Sequence, residues 1–91
     1  MKCGGFSYTE ITDEHMSIIN SKKDDIEKRL ISSGRNGKIE HFEVLELQQQ
    51  VVAGMNYLFK IKLQKYGDEC IQVRIYKNLG NEISIHSIQS L

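Results

Sequence analysis

The sequence predicts an α+β fold in which one long helix packs across a four- to five-stranded antiparallel β-sheet. Three observations predict it. A helix-period apolar stripe is confined to residues 12–33, strand-period alternation follows from residue 38 to the end, and turn-forming residues separate the alternating runs. At 91 residues the chain buries about 60–65% of its unfolded surface, enough for one core and too little for two. Residues 1–91 are therefore read as a single domain.

Composition excludes several classes of function. The 12 Lys and Arg cancel the 12 Asp and Glu, so no field of one sign exists to gather phosphates, and nucleic acid is not expected as a partner. With 40% apolar and 26% charged residues the chain sits near the globular averages. No run approaches the roughly 20 apolar residues that span a bilayer, and the N-terminus lacks an apolar signal stretch, which predicts an unprocessed cytoplasmic chain without membrane contact. Two cysteines, Cys3 and Cys70, are too few for a disulfide framework and are expected as thiols.

Taken in order, residues 1–11 carry adjacent glycines and little periodicity, predicting a flexible N-terminal trunk. Thr12 is a good N-cap, and Asp13 and Glu14 follow where acidic side chains complement the helix dipole, so a helix is expected over 12–33. Met16, Ile19, Ile26 and Leu30 form its apolar face, against Glu14, Lys22, Asp25 and Arg29. Gly34 supplies a left-handed cap and Asn36-Gly37 a turn.

From residue 39 to residue 47 apolar and polar residues nearly alternate, but adjacent Val44 and Leu45 shift the phase, as one extra residue in a β-bulge does. Alternation is clean in the next run, with Tyr57, Phe59, Ile61 and Leu63 on one face and Lys60, Lys62 and Gln64 on the other. Tyr66-Gly67-Asp68-Glu69 makes a turn, and Ile71, Val73 and Ile75 mark a third strand. Asn78-Leu79-Gly80-Asn81 turns again into a short strand at Ile83-Ser84-Ile85.

One loop departs from turn chemistry. Gln50-Val51-Val52-Ala53-Gly54 joins the first two long strands, yet it is small, apolar and free of the Asn and Asp that hairpin tips favour. Two β-branched residues at an exposed turn leave apolar surface in water, which points to a partner's cleft.

This pentapeptide resembles the QVVAG first inhibitory hairpin of the cystatins, specifically of the type 1, stefin-like members, and Asn56-Tyr57 with Lys60-Ile61 resembles the strand that follows it. Met1-Lys2-Cys3-Gly4-Gly5 is similar to the short stefin trunk with its glycine. Val73-Arg74-Ile75-Tyr76-Lys77-Asn78-Leu79-Gly80 resembles the strand entering the second hairpin, where the family usually writes Leu-Pro-Gly.

The resemblance implies a cystatin-like fold and a reversible, tight-binding inhibitor of papain-like, cathepsin-like cysteine proteases, not an enzyme. It implies no catalytic residues, cofactor or metal, and a three-part wedge whose contacts are Cys3, Gly4 and Gly5, then Gln50, Val51, Val52, Ala53 and Gly54, then Leu79 and Gly80. The state it implies is a monomer, with a domain-swapped dimer as a second state. Physical chemistry agrees with the parts: a groove made for extended peptide admits small apolar residues without desolvating charge, and Gly4 lets backbone approach where a Cβ would clash. With no Pro after Leu79, the second hairpin is expected to be more flexible.

Other readings carry less. Pairing Cys70 with His41 or His86 would need a depressed thiol pKa and an orienting third group, neither of which the sequence suggests. His15, His41 and His86 lack metal-ligand spacing. The alternative from another class is a non-inhibitory interaction or domain-swapping module, with the Val51-Val52 hairpin as its hinge.

Overall fold

In a computed structural model of the chain, residues 5–34, 39, 41–67 and 69–91 are described. Cys3 and Gly4 lie outside the described residues, as do Arg35, Asn36 and Gly37 of the expected turn and Asp68. The elements run β1 (Ser7–Tyr8), α1 (Asp13–Ser21), α2 (Lys23–Ser32), β2 (Glu43–Val52), β3 (Gly54–Lys62), β4 (Cys70–Lys77) and β5 (Ile83–Ser90). The strands form one antiparallel sheet in the order β1-β2-β3-β4-β5, so the fold is α+β with each strand beside its predecessor.

The helical stretch begins as its cap chemistry dictates. Thr12 is extended at φ −99° and ψ 171°, its hydroxyl accepts from the His15 N–H, and its own N–H donates to His15 Nδ1 at 3.1 Å. Where one helix is expected, two follow, divided at Lys22. The Ser21 hydroxyl donates to the Ile18 carbonyl at 2.7 Å, and the Lys22 N–H turns instead to the Ile19 carbonyl at 3.1 Å. A serine that takes up a helical carbonyl in this way bends the helix. Gly34 ends the stretch at φ +110°, a conformation that side chains rarely adopt.

Alternation places the core on one face of the sheet. Leu47, Tyr57, Phe59, Ile61, Leu63, Ile71, Val73 and Ile75 are buried with Ile18, Ile19, Ile26 and Leu30 of the helices. The β2–β3 register passes from Val44↔Ile61 to Glu46↔Lys60, which makes Leu45 the extra residue of a bulge, where the adjacent apolar pair places it.

Two parts of the sheet differ from the sequence expectation. The last strand is long, not confined to residues 83–85, because Arg74 pairs with Ser87 and Ile75 with Ile85, leaving His86 as a second bulge. That bulge brings Ile88 back to the core side beside Ile83 and Ile85. The expected trunk over 1–11 is attached from Ser7 onward: Ser7 pairs with Gln49, Tyr8 with Gln48, the Thr9 N–H donates to the Leu47 carbonyl at 3.0 Å, and Ile11 packs on the core. Among the described residues no helix is long and apolar enough to cross a membrane.

Candidate functional site

Topology brings the singled-out segments to one end of the sheet. The β2–β3 hairpin has its tip at Ala53, between Val52 and Gly54. Met55 at the start of β3 pairs with Lys77 at the end of β4, so this tip lies beside the turn that leads to β5. β1 runs antiparallel to β2, and its N-terminal side, where Gly5 lies exposed, is directed toward the same end.

The two turns are packed against each other. Gly54 adopts φ +107°, and a Cβ there would collide with the Lys77 carbonyl oxygen and stand 3.1 Å from both Asn78 Cα and the Tyr76 hydroxyl. Only glycine meets both conditions. Tyr76, opposite Asn56 in the register, donates its hydroxyl to the Ala53 carbonyl. One pair further into the hairpin, buried Asn56 donates its side-chain amide to Gln50 Oε1 at 3.0 Å. Gln50 is thus engaged on its own sheet, while Val51 and Ala53 face solvent and Val52 is half-buried.

The second turn is fixed by a different device from the one its missing proline suggests. The Asn78 side-chain oxygen accepts from the N–H groups of Gly80 and Glu82, each at 2.9 Å. Its backbone N–H donates to the Glu82 carbonyl at 2.9 Å and its carbonyl accepts from Asn81 at 3.0 Å. Asn81 takes φ +66°, where asparagine is tolerated better than most residues. These bonds restrain the loop without a proline. Lys77 reaches Glu14 on α1 at 3.4 Å, a contact open to solvent and worth little by itself.

The resulting edge is apolar and uncharged at its tips. Val51 is 70% exposed and Leu79 80% exposed, and no ionisable side chain occurs in residues 50–54 or 79–80. Tips of this kind can fill a groove without stranding charge. Cys70 is a free, half-buried thiol opposite Lys62, at the other end of β3.

Sequence reasoning placed Asn56 and Tyr76 on strands and Asn78 in a turn but gave none of them a role at the site. Asn78 carries the most readable signal, since asparagine before Leu-Gly-Asn is an Asx-turn former. Tyr76 and Asn56 are recognisable only once the register sets them beside Ala53 and Gln50.

Comparison with known proteins adds the remaining observations. A family model described as a cystatin domain matches residues 32–80, which include both turns. Cystatin-B of Bos taurus is 32% identical over 83 residues, covering 90% of this chain and 78% of that protein. Stefin-C of Bos taurus is 34% identical over 80 residues, with 87% and 72% covered. Cystatin-A3 of Dictyostelium discoideum is 33% identical over 90 residues, with 97% and 90% covered.

Proposed function

This chain belongs to the cystatin family, and on that premise we propose that it is a reversible inhibitor of papain-like cysteine proteases, not an enzyme. The observation that carries the reading is the juxtaposition of two uncharged turns, joined where Gly54 meets Lys77 and Asn78, with Val51 and Leu79 both exposed at this end of the sheet. A V-shaped cleft lined for extended peptide accepts such an edge, and a preformed edge costs little ordering on binding. Gln50, Val51, Val52, Ala53 and Gly54 form the central contact, Leu79 and Gly80 one flank, and Cys3, Gly4 and Gly5 the other. The partner is a cathepsin-like enzyme met by a monomer in the cytoplasm. In this reading the hairpin blocks the cleft without being cleaved, so the inhibitor leaves intact.

Titration of papain with the reduced protein tests the reading, with hydrolysis of a fluorogenic peptide as the signal. Stoichiometric inhibition near one to one, followed by recovery of uncleaved inhibitor, is the expected result. A folded monomer that leaves papain fully active refutes it and leaves a non-inhibitory module on the same fold.

A further inference from the structure

The trunk must leave the sheet in a defined direction to serve as a flank, yet β1 offers only two paired residues, Ser7 and Tyr8. So short an edge strand frays readily. A second restraint stands immediately before it: the Arg74 guanidinium lies 5.2 Å from the centre of the Phe6 ring, within cation–π range. Arg74 pairs with Leu58 on β3, Leu58 with Gln48 on β2, and Gln48 with Tyr8 on β1. The two side chains therefore meet across β2 and β3. They do so on the face away from the helices, because Val73 and Ile75 on either side of Arg74 point into the core.

Further observations agree. Phe6 is half-buried although it precedes the first strand. Arg74 Nε is buried without a hydrogen-bond partner, so no acceptor holds the head group at that atom. One residue earlier Gly5 is exposed, and a Cβ there would meet no heavy atom within 4 Å. The chain is anchored at Phe6 and unhindered at Gly5.

We infer that Phe6 and Arg74 form a clasp over the outer face of the sheet that aims the N-terminal trunk, making Arg74 a positioning residue for the trunk's contact with a protease. The inference rests on the inhibitor reading above. Tyr76, which holds Ala53, lies two residues along the same face of β4. One strand thus orients the central hairpin and the trunk alike.

The test is a cycle of variants against papain: the full chain, the chain lacking residues 1–4, and Arg74→Met in each. Amide exchange at Thr9, whose N–H donates to Leu47, is followed in parallel. In the full chain Arg74→Met is expected to weaken inhibition about fivefold and to speed Thr9 exchange. In the truncated chain the same change is expected to alter the inhibition constant less than about twofold, because no trunk remains to be aimed. Arg74→Lys, which keeps a cation for the ring, is expected to restore most of the inhibition. Equal weakening in both backgrounds overturns the proposal, since Arg74 would then act on the hairpins or the protease itself. Unaltered inhibition by the full-chain Arg74→Met protein overturns it too. A wild-type chain that leaves papain active refutes the inhibitor reading instead, and Thr9 exchange then decides alone whether the clasp holds β1.

Discussion

Gly54 meets two demands with one missing atom: a positive φ and a backbone approach to Lys77 and Asn78 that leaves no room for Cβ. Gly54→Ala is therefore expected to lower unfolding free energy by about 2–3 kcal/mol in urea titration, combining left-handed strain with a collision that flexible atoms cannot relieve. Tyr76→Phe removes only the bond to the Ala53 carbonyl, so a loss of about 1 kcal/mol is expected in the same assay, together with weaker papain inhibition. Val51 is 70% exposed and packs on little. Val51→Asp should leave the unfolding midpoint where it is while raising the inhibition constant at least about tenfold, because a carboxylate would be desolvated in the cleft. These positions were unequally legible in the sequence. The hairpin announced itself by lacking ordinary turn chemistry, whereas the tyrosine's partner lies 23 residues away and no local pattern encodes it.

Among the elements, strands with unbroken alternation were the readable ones. Tyr57, Phe59, Ile61 and Leu63 are all buried, as their spacing predicts, and the phase slip at Val44-Leu45 marked a real bulge. The same kind of slip at His86 went unread because only Ile88 follows it within the strand, and one apolar residue past the slip does not establish a new phase. The helix break was hidden for another reason: Ile19 and Ile26 stand seven residues apart, so the apolar repeat continues on both sides of Lys22, while the bond from the Ser21 hydroxyl to the Ile18 carbonyl that accompanies the break is not a matter of periodicity. Ser21→Ala frees the Ile18 carbonyl to accept from Lys22. Carbon chemical shifts at Lys22 should then become helical, and stability should rise by about 0.5 kcal/mol.

For the molecule as a whole, the core and the candidate binding edge are separate. Helices cover one face, the exposed turns gather at one end, and the shape is elongated at 44 × 23 × 23 Å. A chain of 91 residues has a total stability of about 5–14 kcal/mol. Phe59 is among the largest fully buried side chains, and Phe59→Ala is expected to cost about 3–5 kcal/mol. Near- and far-ultraviolet dichroism should still report a single coincident transition in that variant, at a lower urea concentration. The bulge at Leu45 has a consequence in terms of descent. Removing Leu45 would set Val44 and Glu46 against Ile61 and Lys60 without a gap, with Leu47 still facing Phe59. Length can thus be lost at this point of β2 without turning a core side chain outward or displacing the hairpin tip, whereas a deletion between Leu47 and Val52 would invert the strand's faces. Inherited gaps in this strand should gather at the bulge.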